Sequence, residues 1–140
     1  MLKVKVEDIM SDHVITIPET ATVGQAAHLL MRYRVNAVFV VKKNNRRDVM
    51  GIVTTEDLLE YLDEVLSRRS HRMVALQQIG ELPIGVVANR EVIKVAKDTK
   101  LARVIGIMHR KNAHTILIYD YDKLVGVLGR HDILNAAFTN

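Results

Sequence analysis

The chain contains no cysteine and no tryptophan. Without thiols it cannot form disulfides, thiolate metal sites or a cysteine nucleophile, and it fits a reducing compartment. Aromatic residues make up only 4% of the chain, which leaves few rings for stacking on nucleic-acid bases. Long apolar runs are also lacking. The longest, around "NAVFVV" from Asn36, falls well short of the ~18 residues a membrane span needs. The N-terminal "MLKVKVEDIM" has no apolar block of the kind that marks a secretory signal. A cytoplasmic protein without membrane insertion is the expectation. No glycine-rich phosphate loop of the Walker or dinucleotide type is present, and no Gly/Ser-rich linker divides the chain.

What is present is an aliphatic core and a mild excess of positive charge. Of 140 residues, 49% are hydrophobic, and the formal net charge is +4. The cations cluster. Lys42, Lys43, Arg46 and Arg47 fall in one expected loop, and Arg68, Arg69, His71 and Arg72 in another. Such clusters attract nucleotides, nucleic acid or an acidic partner, or are simply solvated.

The dominant feature is an internal repeat. When Val14 is laid on Val92, "VITIPETATVGQAAHLLMRYRVNAVFVV" falls on "VIKVAKDTKLARVIGIMHRKNAHTILIY". With three residues removed from "KKNNRRDVM", Gly51 falls on Gly126 and Asp57 on Asp132. Val23, Ala26, Ala27 and Leu30 form one apolar helical stripe, and Leu101, Val104, Ile105 and Met108 another. Thr20 or Thr22 is expected to cap the first helix, and Asp98 or Thr99 its counterpart. "AVFVV" and "TILIY" read as strands, each followed by a polar hairpin, a glycine-containing strand and a helix. Each copy is therefore β-α-β-β-α. Leu58, Leu59, Leu62, Val65 and Leu66 continue the last helix of copy one, "SRRSHR" reads as a bend, and "MVALQQI" as the start of a helix leading into copy two, as "VKVEDIM" leads into copy one. The expected fold class is α+β (α/β), with two such repeats packed by pseudo-twofold symmetry. The expected organisation is residues 1–66, a connecting segment 67–77, and residues 78–140.

"VEDIMSDHVITIPETATVGQAAHLLMRYRVNAVFVV…GIVTTEDLL" and "VIKVAKDTKLARVIGIMHRKNAHTILIY…GVLGRHDIL" each resemble a cystathionine-β-synthase (CBS) domain. Together they resemble the tandem pair called a Bateman module. That resemblance implies two clefts for adenosine-bearing ligands, a regulatory role and a homodimer. The family pattern is Gly, two aliphatic residues, Ser or Thr, two further residues, Asp. Gly51, Ile52, Val53, Thr54 and Asp57 match it in full. The second copy keeps Gly126 and Asp132 but has Gly129 in the hydroxyl position.

The resemblance implies a role for each of these residues. Asp57 and Asp132 would accept hydrogen bonds from the cis-diol of a ribose. The Thr54 hydroxyl would donate to a phosphate beside the free N–H groups of a helix start. The backbone around Thr16, Ile17, Lys94 and Val95 would read the adenine edge. Asn36, Ala37, His114 and Thr115 hold the places that flank the base or reach the phosphate. Arg130 and His131 either offer charge to phosphate in place of the missing hydroxyl or form a solvated pair. On the hydroxyl alone, the first site is expected to bind nucleotide more tightly. The same aspartates and Thr54 also suit plain helix capping and the helix dipole.

No catalysis and no metal are expected. "HD" at His131–Asp132, with His109 and His114 upstream, is too short a signal for a metal-dependent phosphohydrolase. No cofactor is required. The expected ligand is AMP, ADP or ATP, with S-adenosylmethionine as a further candidate, and the expected partner is an effector enzyme or transporter. Two alternatives stand beside this reading: a dimeric scaffold without ligand, and a basic nucleic-acid-binding module, which the scarcity of aromatics disfavours.

Overall fold

In the computed structural model, residues 3–43, 45–67 and 78–139 are described. The basic group Arg68, Arg69, His71 and Arg72, the expected bend and nearly all of "MVALQQI" lie outside them. The elements run β1 (Thr16–Pro18), α1 (Val23–Tyr33), β2 (Ala37–Lys42), β3 (Asn45–Thr54) and α2 (Thr55–Leu66). They then repeat as β4 (Lys94–Ala96), α3 (Leu101–Lys111), β5 (Thr115–Asp120), β6 (Lys123–Gly129) and α4 (Arg130–Phe138). The β-α-β-β-α plan thus occurs twice.

Each repeat makes a three-stranded sheet, ordered β1-β2-β3 or β4-β5-β6. The outer first strand is parallel to the middle one and the third antiparallel, with Thr16 opposite Phe39 and Ala37 opposite Thr54. The second sheet repeats the register, with Lys94 opposite Leu117 and Thr115 opposite Gly129. The middle strands are runs of β-branched and aliphatic residues because both of their faces are buried. The helix stripes turn inward: Val23, Ala26 and Leu30 on α1, and Leu101, Val104 and Met108 on α3.

The hairpins are tighter than the sequence implies. Lys42 pairs with Asn45, and Asp120 with Lys123. Lys42 therefore ends a strand, and Arg46 and Arg47 lie within β3 instead of in a loop. Pairing passes from Val41–Val49 directly to Lys42–Asn45. The three residues that copy two lacks, Arg46 to Asp48, are thus a bulge, and a bulge absorbs an insertion without moving the rest of the ladder. Among the described residues four non-glycine residues have positive φ: Arg34 and Asn112 after α1 and α3, and Lys43 and Tyr121 in the hairpins. They form two matched pairs, so the repeat extends to backbone conformation.

The helix caps differ between copies. Thr22 caps α1, its Oγ1 accepting from the Gln25 N–H at 3.2 Å. Neither Asp98 nor Thr99 caps α3; Lys100 occupies the N-cap and makes no side-chain cap bond. The Leu101 N–H instead donates to the Val4 carbonyl at 2.7 Å, so backbone from the N-terminal segment does part of the work of a cap.

The compact units do not follow the linear repeats. Ile15–Glu91 forms one unit, and Met1–Val14 with Val92–Asn140 forms the other. The segment leading into each copy packs on the other copy's elements. Val6 is fully buried among Leu101, Val104, Met108, Ile116, Ile118 and Leu128, and Ile84 and Val87 are buried with Ile17, Val38 and Val53. Val6 lies in a single 3-10 turn, Val6–Asp8, rather than the expected helix. Burying one such aliphatic side chain contributes about 1.5–3 kcal/mol.

Candidate functional site

The repeated glycines mark where these lead-in segments cross the sheets. Ile52 and Asn89 exchange backbone bonds at 2.9 and 2.8 Å, and so do Val127 and Ser11. A Cβ on Gly51 would meet the Asn89 carbonyl oxygen at 3.0 Å, and one on Gly126 the Ser11 carbonyl oxygen at 2.9 Å. At both glycines a side chain would crowd the crossing backbone, more tightly at Gly126.

Beyond each glycine the strand runs into a helix, and the expected site residues gather there. In the first repeat, Ala37 pairs with Thr54 at the mouth of the β2–β3 ladder, and the Asn36 carbonyl accepts from the Thr55 N–H at 3.1 Å. Thr54 is the N-cap of α2. Its Oγ1 accepts from the Asp57 N–H at 3.1 Å, while Asp57 Oδ2 accepts from the Thr54 N–H at 2.9 Å. This reciprocal capping box fixes the Asp57 carboxylate beside the start of β2. Oδ1 makes no further bond among the described residues, so the carboxylate serves the helix and still offers an acceptor. Thr16 lies on the edge strand, two register places from Ala37. The Ile17 side chain is buried in the core, so Ile17 offers a ligand only its backbone.

The second repeat has half of this device. Gly129 is the N-cap of α4 and has no side chain, but its N–H donates to Asp132 Oδ2 at 2.8 Å. Asp132 is therefore placed as Asp57 is. Arg130, first in α4, reaches back across the end of α3: Nη2 donates to Asn112 Oδ1 at 2.9 Å and Nε to the Ala113 carbonyl at 3.3 Å. It is thus anchored, not simply solvated. His114 and His131 are exposed, and Thr115 is half-buried opposite Gly129. Lys94 is on the edge strand with its ammonium 5.4 Å from the Tyr119 ring centroid, and Val95 packs towards the core.

The partner of Arg130 was not foreseen from sequence. The available signal was Asn112 itself, since asparagine is favoured in the left-handed conformation that ends a helix. Among the described residues no group of three or more His, Asp or Glu could hold a metal ion, and no helix is long and apolar enough to cross a membrane.

The family model for the CBS domain matches residues 6–64 and again 79–139. The chain belongs to the CBS domain family. The protein MJ0450 of Methanocaldococcus jannaschii is 32% identical to it over 103 residues, 70% of this chain and 54% of that protein. An A-adding tRNA nucleotidyltransferase of Geobacter sulfurreducens is 26% identical over 94% of this chain but only 13% of its own length. The chain therefore spans about half of one curated relative and a small part of the other. Among solved structures, the CBS domain pair of protein MJ0100, in complex with 5′-methylthioadenosine and S-adenosyl-L-methionine, superposes with TM-score 0.74 at 24% identity, covering 96% of this chain and 95% of that one. The CBS domain protein PAE2072 of Pyrobaculum aerophilum, complexed with AMP, superposes with TM-score 0.73 at 23% identity, covering 92% and 89%. At these identities the two structures show the fold of the CBS domains in this chain.

Proposed function

We propose that the protein is a regulatory CBS pair that binds adenosine-bearing ligands, the ribose diol at Asp57 in one repeat and at Asp132 in the other. One observation carries the reading. In both repeats a carboxylate at the third helical position is held by backbone beside the start of the middle strand, once by the Thr54 N–H and once by that of Gly129. The two pair structures bound to AMP or to adenosyl compounds support the ligand class. The protein has no catalysis of its own and passes occupancy to an effector or to its own dimer. Exposed apolar side chains suit the dimer: Leu59 is 67% exposed on α2 and Phe138 80% exposed on α4. The expected mass by light scattering is twice 15.8 kDa.

Calorimetric titration with AMP, ADP, ATP, S-adenosylmethionine and cyclic dinucleotides tests the reading. At least one adenosyl ligand is expected to bind, more weakly as its 2′-deoxy analogue. Asp57→Asn and Asp132→Asn preserve an acceptor for the cap and are expected each to weaken one binding event. Failure of the whole panel to bind would leave the ligand-free scaffold as the better reading.

A further inference from the structure

The following rests on the adenosyl-binding reading above. We propose that the two sites divide their ligands by charge: the second repeat takes a nucleoside 5′-phosphate, and the first takes an adenosyl compound whose 5′ group carries no negative charge.

The observation is a change of charge at four matched places. Thr16 and Lys94 hold the same register position on the two edge strands. Asn36 and His114 stand immediately before the two middle strands. Thr55 and Arg130 are the first residues of α2 and α4, and Glu56 and His131 the second. Each residue of the first set is neutral or acidic, and each of the second is cationic or becomes so on protonation. At the start of α2 the Thr55 N–H is engaged by the Asn36 carbonyl and the Asp57 N–H by Thr54 Oγ1. The Arg130 and Asp132 N–H groups at the start of α4 have no such acceptor among the described residues, so the helix starts and the side chains both favour an anion at the second site. At the first site a phosphate would meet Glu56 and Asp57 in one turn, a like-charge arrangement that disfavours it. At the second it meets one carboxylate and a guanidinium.

Arg130 is built for that role. Its bonds to Asn112 Oδ1 and the Ala113 carbonyl occupy Nη2 and Nε. Nη1 has no partner among the described residues, and a guanidinium carries five donors in a planar fork that matches phosphate. Both acceptors, on Asn112 and Ala113, lie just past the C-terminal end of α3, where the helix dipole favours a cation. Lys94 is held near the sheet by the Tyr119 ring. The Thr54 hydroxyl offers one uncharged donor, already engaged as an acceptor by the Asp57 N–H. The charge pattern thus reverses the ranking that the hydroxyl alone predicts. Arg34, in the place of Asn112, stands on the loop two residues before Asn36 and outside the first turn of the helix.

The test is titration of the full chain with AMP and with adenosine, at low and high salt. AMP binding is expected to weaken with salt and to fall about ten- to a hundredfold in Arg130→Thr, the loss of one charge-assisted hydrogen bond. Asp132→Asn is expected to weaken the same event, whereas Arg34→Asn leaves it unchanged. Adenosine binding is expected to be insensitive to salt and to Arg130→Thr, and to be weakened by Asp57→Asn. Loss of AMP binding in Asp57→Asn but not in Asp132→Asn, or AMP binding independent of salt, overturns the division and leaves the adenosyl reading standing. If neither probe binds, the division falls, and the adenosyl reading is then decided by the rest of the panel, ADP, ATP, S-adenosylmethionine and cyclic dinucleotides. AMP binding independent of salt on the unaltered chain overturns the division even where a variant does not fold.

Discussion

Position 129 separates the two repeats at the scale of a single residue. Thr54 closes a capping box with Asp57, but Gly129 supplies only a backbone N–H to Asp132. Gly129 has φ −107 and ψ 173, ordinary extended backbone. A Cβ there would meet Asp132 Oδ2 at 3.6 Å and the His114 carbonyl oxygen at 3.8 Å, both ordinary contacts. Gly129→Thr should therefore complete the box, and by lowering the entropy of the unfolded chain it favours the folded state a second time. The expected gain is about 0.5–1 kcal/mol, read as a raised urea midpoint with an unchanged slope. An unchanged or lowered midpoint would show that the glycine serves something other than economy of side chain. The aspartates were legible in the sequence as both cap and ligand candidates. Only the hydrogen bonds show that one carboxylate oxygen is committed to the cap in each.

At the scale of elements, the repeated phrase "G-aliphatic-aliphatic" has a cause that sequence alone does not expose. The glycine is needed because a lead-in segment crosses the strand there, and that segment comes from elsewhere in the chain. Gly126→Ala would drive a Cβ against the Ser11 carbonyl oxygen and the Met10 side chain. Overpacking of this kind costs about 1–3 kcal/mol. Gly51→Ala has slightly more room, 3.0 Å to the Asn89 carbonyl oxygen, and should cost less. Thermal melts of the two variants test this order; equal and negligible shifts would mean that the segments lift away easily. The same level explains the missed cap. Asp98 and Thr99 have capping chemistry, but the Thr99 carbonyl accepts from the Val6 N–H and the Thr99 N–H donates to the Ala96 carbonyl, which sets the helix start one residue later at Lys100.

At the scale of the molecule, sequence order and folding unit part company. The fragments 1–77 and 15–91 are equally long, and a division by linear order favours the first. The structure favours the second. It keeps Ile84 and Val87 on the core of Ile17, Val38 and Val53, whereas the first keeps Val6 without the Leu101, Val104 and Ile116 that surround it. Circular-dichroism melts should show a cooperative transition for 15–91, and a broader or absent one for 1–77. The opposite order would contradict the unit boundaries.

The sequence by itself determined the repeat, the β-α-β-β-α order, the inward stripes of α1 and α3, and the two aspartates at helix starts. All of these are local: period, β-branching and capping chemistry act within about a dozen residues and leave a pattern in the string. Tertiary structure alone decided which lead-in segment covers which sheet, why Gly51 and Gly126 have no side chain, where the three extra residues are stored, and what Arg130 holds. Each of these depends on backbone or side-chain groups brought together from distant parts of the chain. Hydrogen-bond geometry and steric contact between such groups leave no periodicity to read.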